Sequence, residues 1–407
     1  MAGPLTGLRV VDLSRILAGP TMTQTFADLG AEVIKIERPI KGDDTRQWGP
    51  PWLKDEDGNE TAEAGYYLSA NRGKHSLTVD IASAEGAEIV RDLVKTADFF
   101  VENFKVGGLK KMGLDYESLK ALNPGLIYLS ITGFGQTGPD AAQPGYDYLI
   151  QARAGLMSIT GHEDGEPGAG PMRVGVGVCD LQTGMMGGIG MLAALYHREK
   201  TGEGQHIDIA LLDTQVSGLV NQAFNHLVTG DTPPRTGSFH PNLSPYQPFD
   251  GADQPFIIAT GNDTQFADLC RVIGRPDLSE DERFVKMALR NKNRIELSQL
   301  INAETMKQPA AHWLKELPAN NVPACPINNI AQVFEDPQVV ARGMKLELDH
   351  PTAGKVPGIA NPLKFSETEI EYQKAPPIIG EDTDDVLTRV LGKTSDEVAK
   401  LRAGKVV

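Results

Sequence analysis

The chain has 407 residues, of which 40% are apolar and 23% are charged, so it can bury a sizeable core. At roughly 100–200 residues per domain, this length predicts two or three folded units. The 54 acidic and 39 basic residues give a net charge of −15, which argues against a general nucleic-acid-binding protein. Three cysteines, none of them in a CxxC pair, exclude a disulfide scaffold and favour a reducing, cytoplasmic location.

The sequence predicts neither an export signal nor a membrane-spanning segment. Its first residues, Met1-Ala2-Gly3-Pro4, provide no basic region followed by an apolar one. The longest mostly apolar run, Met185–Tyr196, is much shorter than the roughly 20 residues that a spanning helix needs. We therefore expect this run to be a core helix, and we expect no membrane partner.

The first half of the chain alternates short apolar strands with helices. The predicted strands are Leu8–Leu13, Glu32–Glu37, His75–Asp80, Phe99–Val101, Leu126–Ile131 and Gln205–Ala210. The predicted helices between them are Thr21–Leu29, Glu85–Thr96 and Gln182–Arg198. This alternation is typical of βαβ units, so we predict an α/β fold with a doubly wound parallel sheet.

The pattern changes near Thr229. Six prolines lie between Asp231 and Phe256, which excludes a regular helix there and predicts a linker or a stiff wrapping loop. A strand at Phe256–Ala259 and helical stretches near Phe266–Ile273, Lys292–Ile301 and Ala310–Leu317 then predict a smaller unit over about 235–325. A last helix is predicted at Asp382–Leu391, with Asp382 as its N-cap.

Two familiar cofactor motifs are absent or incomplete. Gly133–Gly138 is a literal GxGxxG after a strand, but Pro139, Pro144 and Gly145 follow it and prevent the helix that a dinucleotide site requires. Gly392-Lys393-Thr394 lacks the first glycine of a P-loop. The eight histidines form no HxxxH or HExxH pair, so we predict no metal site.

Basic residues are grouped next to predicted strands. Such groups can neutralise a ligand with several phosphates in spite of the negative net charge, although each residue could instead be a solvated surface charge. The groups are Arg38 after the second strand, Asn71, Arg72 and Lys74 before the third, and Lys105, Lys110 and Lys111 after the fourth.

Asp180 stands at the start of the long apolar helix. A carboxylate in this place is stabilised by the free N–H groups of the first turn. Two interpretations follow: an N-cap that stabilises the helix, or a nucleophile poised for covalent catalysis. Asp147 and Asp208 are the rival acidic candidates.

Taken together, the sequence resembles the family III CoA-transferases, the formyl-CoA and carnitine CoA-transferase type. The resemblance covers nearly the whole chain in order. It is carried by GLRVVDLSRILAGP, LGAEVIKIERPIKGDDTR, NRGKHSLTVD, ADFFVENFKVGGLKKMGL, ITGFGQTGP, HREKTGEGQHIDIALLD and EDPQVVARGM.

The resemblance implies a role for each matching residue. The nucleophile falls on Asp180, which would attack an acyl-CoA thioester, form a mixed anhydride and then an aspartyl-CoA thioester. Coenzyme A enters as the thioester substrate, and no permanently bound cofactor is expected. The predicted CoA-binding residues, with the basic group before the third strand included, are Leu17, Ala18, Arg38, Leu68, Asn71, Arg72, Lys74, Asn103, Phe104, Lys105, Lys111, Gly145 and Tyr146.

The resemblance also implies an interlocked homodimer with a Rossmann-like large domain built from both ends of the chain. The predicted division is 1–230 for the first part of the large domain, 231–325 for the linker and small domain, and 326–407 for the return to the large domain. The expected partners are an acyl-CoA, a carboxylic acid and a second copy of the chain.

The substrate acids are suggested by two segments. Formyl-CoA transferases carry a run of glycines in a loop over the intermediate, whereas the corresponding Ala259–Asp263 has Gly261 alone, which disfavours oxalate and formyl-CoA. The segment Gly237–Tyr246 resembles members that use succinyl-CoA with dicarboxylic or hydroxy-dicarboxylic acids.

Three alternatives stay open from the sequence. An α-methylacyl-CoA racemase has the same fold but needs a histidine where this chain has Tyr146, and His162 lies in a Gly-rich loop. A nicotinamide-dependent oxidoreductase would use Gly133–Gly138. A CoA-binding regulatory protein without turnover would keep the ligand site and show no exchange.

Overall fold

The structure is a computed structural model that describes residues 3–407. Its strands are β1 (Arg9–Asp12), β2 (Glu32–Glu37), β3 (Trp52–Lys54), β4 (Glu60–Ala64), β5 (Lys74–Thr78), β6 (Phe99–Glu102), β7 (Ile127–Thr132), β8 (His206–Ala210), β9 (Tyr246–Asp250), β10 (Pro255–Ala259), β11 (Ala324–Pro326), β12 (Lys345–His350) and β13 (Gly354–Ile359).

The helices are numbered in the same way. They are α1 (Ala18–Asp28), α2 (Gly65–Leu68), α3 (Ala84–Val94), α4 (Tyr116–Leu122), α5 (Asp147–Arg153), α6 (Leu156–Ile159), α7 (Val178–Thr201), α8 (Leu211–Ser217), α9 (Val220–Thr229), α10 (Asp263–Val272), α11 (Asp277–Glu280), α12 (Met287–Lys292), α13 (Arg294–Thr305), α14 (Ala310–Ala319), α15 (Ile330–Glu335), α16 (Pro337–Ala341), α17 (Thr383–Asp385) and α18 (Ser395–Ala403). Short 3₁₀ turns lie at Asp44–Gln47 and Lys110–Met112, and a π-helical turn lies at Val386–Val390.

The described residues divide into two compact units. The first contains residues up to Ala154, Val174–Leu219 and Pro337–Val407, and the second contains Gly155–Arg173 and Val220–Asp336. The second unit therefore extends beyond the predicted 231–325 at both ends and also includes a separate earlier segment. Composition could not reveal that segment, because contacts such as Gly237 N–H to the Gly161 carbonyl, at 3.1 Å, join residues distant in sequence.

The first unit is built on a six-stranded sheet with the order β5-β2-β1-β6-β7-β8. All neighbouring strands are parallel, as the sequence predicted. Chain order reverses between β1 and β6, and this is the switch point where α/β sheets open a crevice at the carboxyl ends of their strands. The loops after β1 and β6 therefore lie side by side.

Both faces of this sheet are buried, because successive residues of a strand point to opposite sides. Val10, Val33 and Phe99 pack on one face with α1 and α7, through side chains such as Phe26 and Met191. On the other face Val11, Ile34 and Phe100 pack with Ile89 and Leu93 of α3 and with Val386 and Val406 near the chain end. Helices thus cover both sides, and the sheet is doubly wound.

Glycines bring α7 close to α1 and the sheet. A Cβ atom added at Gly184 would lie 2.5 Å from the carbonyl oxygen of Ala18, and one at Gly187 would lie 3.2 Å from Leu129. Larger residues would push the helix outward, so the start of α7 is held against the loop that follows β1.

By length and composition alone, α7 could cross a membrane, although a core helix passes the same test. It is 24 residues long, twice the apolar run that we singled out from the sequence. About a third of its apolar stretch is buried within the chain. The opposite side carries exposed apolar residues, namely Met185, Met186, Ile189, Leu192 and Tyr196.

The second unit has a three-stranded antiparallel sheet in the order β11-β10-β9. Its core includes Phe256, Phe266 and Leu317. Arg290 is fully buried, and its guanidinium donates to the carbonyls of Ser244 and Phe284 and to Asp263.

Several local predictions were wrong. The proline-rich stretch was predicted as a linker or loop, but it contains strand β9. Proline excludes a regular helix there, whereas an extended strand can accommodate it at an edge. The predicted helix at 382–391 is one short α-turn followed by a π-helical turn, and the Asp382 carboxylate accepts from the Ser76 N–H at 2.8 Å instead of capping it. The Gly133–Gly138 loop is followed by no helix until α5, as predicted.

Candidate active site

Asp180 is half-buried in the first turn of α7 and lines a cavity of about 260 Å³. The cavity opens at the switch point of the sheet. It is lined by Arg15, Ile16, Ala18, Asp44, Asn103, Phe104, Lys105, Val106, Ile131, Thr132, Gly133, Ala141, Gln143, Pro144, Gly145, Tyr146, Asp147, Asp180 and Leu211. A carboxylate is thus exposed inside a concave site that belongs to the first unit alone.

Asp147, and not Asp180, caps the start of α7. One Asp147 oxygen accepts the N–H groups of Cys179 at 2.8 Å and Asp180 at 3.2 Å, and the other accepts from Gln151 at 2.6 Å. A Cβ atom on Gly177 would lie 3.6 Å from a carboxylate oxygen of each aspartate, so the two acids flank this glycine. The cap interpretation of Asp180 is wrong, because a residue 33 positions earlier performs that role.

The surroundings of Asp180 raise the pKa of its carboxyl group. Burial, and secondarily the negative charge of Asp147, raise the pKa of Asp180 to about 7. Burial and the charges of Asp180 and Asp147 also raise the pKa of Tyr66, whose ring meets Trp48 edge-on at 5.0 Å. A carboxyl group that titrates near neutrality beside a cavity is a candidate for covalent or acid–base catalysis.

The loop after β1 is held in an uncommon conformation. Ile16 has a φ of +74°, which costs energy in a β-branched residue. The Asn103 side chain compensates by accepting the Arg15 N–H at 3.0 Å and donating to the Arg15 carbonyl at 2.7 Å. Asp43 accepts the Ile16 N–H at 3.3 Å. The loops after β1 and β6 are therefore fastened together across the crevice.

Four fully or nearly fully buried charges support this loop from beneath. The Lys35 ammonium donates to the Ser14 carbonyl at 3.0 Å and to Asp43 at 2.9 Å. The Lys74 ammonium donates to the Pro20 carbonyl at 2.9 Å and to Asp12 at 3.2 Å. The two buried cations and two buried anions balance each other, and they fix the backbone on both sides of Ile16.

A second cavity of about 210 Å³ adjoins the first. Arg15 and Phe104 line both cavities, and Arg38 lines the second together with apolar residues such as Val79 and Ile81. The Arg15 guanidinium lies over the Phe104 ring at 5.2 Å. The second cavity combines apolar residues with both basic and acidic ones, and the shared Arg15 and the neighbouring Arg38 can contact the anionic portion of a long ligand.

Seven of the thirteen predicted ligand residues line these cavities. The first is lined by Ala18, Asn103, Phe104, Lys105, Gly145 and Tyr146, and the second by Arg38 and Phe104. Leu17 packs against the start of α7, since its side chain would lie 3.0 Å from a Cβ on Gly177.

The segment before β5 lies elsewhere. Leu68, Asn71, Arg72 and Lys74 line neither of the two cavities. Arg72 forms a bidentate ion pair with the buried Asp28. Asn71 donates to the Tyr67 carbonyl and accepts from the Lys74 ammonium. Leu68 packs on the small cluster around Leu348, and Lys111 is exposed on the 3₁₀ turn.

Sequence reasoning missed Arg15 and Asp44 as cavity residues and the capping role of Asp147. Arg15 could have been found, because it follows β1 directly at the predicted ligand edge. The contact between Asp147 and α7 has no signal in the spacing. Within residues 3–407 no group of three or more histidine, cysteine or acidic residues could hold a metal ion.

Comparisons with known proteins identify the family of this chain. The sequence model of CoA-transferase family III matches residues 5–383. A succinate–glutarate CoA-transferase of Agrobacterium fabrum is 48% identical, with 95% of this chain and 96% of that protein covered. A human succinyl-CoA:glutarate CoA-transferase is 40% identical, with coverages of 99% and 90%.

A solved structure shows the same fold. The CAIB/BAIF family protein from Brucella suis is 47% identical, with a TM-score of 0.84 over 96% of this chain and 100% of that one. The site geometry and the full-length matches lead to one conclusion: this chain is a CoA-transferase that belongs to family III.

Proposed function

We propose that this enzyme moves CoA between dicarboxylic acids through a covalent intermediate on Asp180. The observation that carries the proposal is a half-buried carboxyl group, with its pKa raised by burial and by Asp147 to about 7, inside a cavity that adjoins a second one through the shared residues Arg15 and Phe104. The relatives named for succinate, succinyl-CoA and glutarate support dicarboxylic substrates. Lys105 lines the same cavity and can oppose the charge of a second carboxylate.

The exchange conserves the thioester bond energy at every step. The Asp180 carboxylate attacks the thioester carbonyl, forms an acyl–aspartyl anhydride and expels CoA as the thiolate. The thiolate attacks the aspartyl carbonyl, forms an aspartyl-CoA thioester and releases the donor acid as a carboxylate. The acceptor carboxylate then attacks the aspartyl carbonyl, and the same steps run in reverse.

The chain supplies position and charge for this sequence. The N–H groups of Cys179 and Asp180 are bonded to Asp147, so they hold the nucleophile in place and are not available to an oxyanion. Half-burial of Asp180 limits the access of water, which would hydrolyse the anhydride.

A panel of acyl-CoA donors against free carboxylic acids tests this function. With succinyl-CoA as donor, we expect transfer to dicarboxylic acids such as glutarate to exceed transfer to monocarboxylic acids of equal length. Racemisation of a 2-methylacyl-CoA without an acid acceptor, or the absence of any exchange, would contradict it.

The reaction should depend on the ionisation of Asp180. Because the carboxylate is the nucleophile and the pKa of Asp180 is about 7, kcat/KM should rise with pH and be roughly tenfold lower at pH 6 than on its plateau. Asp147→Asn removes the neighbouring charge, so this limb should move to lower pH. A limb at the same pH in both enzymes would contradict the assignment.

We also propose that the enzyme is a homodimer. Met185, Ile189 and Tyr196 of α7 are each more than half exposed in the single chain, and grouped exposed apolar side chains of this kind are typical of a protein interface. The interlocked arrangement implied by the sequence resemblance stays part of this proposal.

Ile189→Glu should weaken the dimer, because it places a charge in the middle of these exposed apolar side chains. Light scattering after size exclusion should give twice the chain mass of 43.9 kDa for the parent protein and a smaller mass for the variant. Leu122→Glu, at an exposed apolar residue of α4, is the matched control and should leave the mass unchanged. A monomeric parent protein would contradict the proposal.

A further inference from the structure

Asp44 joins two cations at the boundary of the two cavities. One of its oxygens lies 2.9 Å from Nη1 of Arg15, and the other lies 2.6 Å from Nη2 of Arg38. All three side chains are partly exposed, with exposed fractions of 34%, 38% and 49% for Arg15, Asp44 and Arg38. One carboxylate is thus shared by two guanidinium groups that are accessible to a ligand.

The position of this triad matches the path of a long ligand. Asp44 and Arg15 line the cavity of Asp180, and Arg15 and Arg38 line the adjoining cavity. The buried Nε of Arg15 has no hydrogen-bond partner among the described residues, so this guanidinium is not satisfied by Asp44. An anion that enters the crevice would meet two partly exposed guanidinium groups that share one carboxylate.

Arg15 and the turn that carries Asp44 are both held by other contacts. Arg15 keeps its place through the two backbone hydrogen bonds to Asn103 and through the Phe104 ring. The turn that carries Asp44 is capped by Asp43, which accepts the Thr45 N–H at 3.0 Å. Removal of the Asp44 charge should therefore free the two cations and leave the loops in place.

We propose that Asp44 is an internal competitor for the phosphates of CoA and sets the affinity of the enzyme for this substrate. The inference rests on the proposed binding of CoA across the two cavities. Phosphate oxygens displace the Asp44 carboxylate from Arg15 and Arg38, and the carboxylate returns when the CoA product leaves. Such competition favours release of the CoA product. The enzyme requires this release because it must bind a new CoA thioester in each cycle.

Two possible roles for Asp44 predict opposite changes in CoA affinity when Asp44 is replaced by Asn. If Asp44 only held Arg15 and Arg38 in place, Asp44→Asn would weaken CoA binding. If Asp44 competes with phosphate, the same isosteric change removes the competing charge and strengthens binding by roughly threefold to tenfold. The gain should shrink at high salt, because phosphate contacts at an exposed site are screened.

The test is the dissociation constant of free CoA, measured by calorimetry with the full-length enzyme at low and high salt. Asp57→Asn, at an exposed acid in the β3–β4 turn, removes the same charge and is the matched control, with expected affinity near that of the parent. Pantetheine, which lacks phosphate, should inhibit the parent and Asp44→Asn equally.

The outcomes separate this inference from the proposed function. Tighter CoA binding by Asp44→Asn alone, with no change for pantetheine, supports the competition. Unchanged or weaker CoA binding by this variant, or equal tightening in Asp57→Asn, overturns it and leaves the Asp180 chemistry standing. A parent enzyme that binds no CoA overturns both.

Discussion

Asp180→Ala should abolish CoA transfer, with kcat at least about a thousandfold lower and the affinity for CoA changed by less than about threefold. The expected loss is large because, in the mechanism that we propose, this side chain carries every covalent intermediate. Binding should persist because the cations and apolar residues of the second cavity do not depend on Asp180. Initial rates of acyl exchange and calorimetry with free CoA measure the two quantities.

A matched control separates chemistry from helix stability. Asp396→Ala also removes an acid from the first turn of a helix, α18, and should retain full activity. Because Asp147 caps α7, the thermal midpoint of Asp180→Ala should stay close to that of the parent. Turnover in Asp180→Ala within tenfold of the parent would end the nucleophile assignment.

Asp12→Asn should cost the enzyme about 3–5 kcal/mol of stability, because it leaves the buried cations Lys35 and Lys74 with Asp43 as their nearest remaining counterion. In the parent, burial alone would raise the pKa of Asp12, but Lys74, Lys35 and two hydroxyl donors outweigh burial and lower it below 3.8. Its contribution is therefore present above about pH 4 and is lost as the pH falls through the folded-state pKa.

The thermal midpoint measures this cost. A loss of this size corresponds to a decrease of roughly 10 °C for a domain of this length. The double variant Asp12→Asn/Lys74→Met removes one unpaired cation as well, so it should be more stable than Asp12→Asn alone. Equal midpoints for Asp12→Asn and the parent would show that these charges do not support the loop after β1.

The sheet was predictable from the sequence because its strands are short apolar runs that alternate with helices. Both faces of strands β1 and β2 are buried, as the successive residues Val10, Val11, Val33 and Ile34 show. Such strands are continuous apolar runs and are easy to recognise in the sequence. Strand β2 was predicted with its observed bounds. Hairpins such as β12–β13 were missed, since Pro357 and Gly358 break the apolar pattern although they permit an edge strand.

Site residues could be predicted from the sequence only where they directly follow a strand, because such residues lie at the carboxyl edge of the sheet. Arg38 and the Asn103–Lys105 segment follow strands, and they line the crevice. Arg72 precedes β5 and Lys74 begins it, and their partners Asp28 and Asp12 lie 44 and 62 positions away. The capping of α7 by Asp147 likewise depends on a contact over 32 positions, which spacing alone does not encode.

The most direct test is the mass of the tryptic peptide that follows Arg173 and ends at Arg198, taken during turnover with succinyl-CoA. We expect an added succinyl or CoA group on Asp180, or a hydroxamate at this residue after hydroxylamine is added, and none of these in Asp180→Ala. Active enzyme whose peptide carries no modification at Asp180 under these conditions would contradict the covalent mechanism.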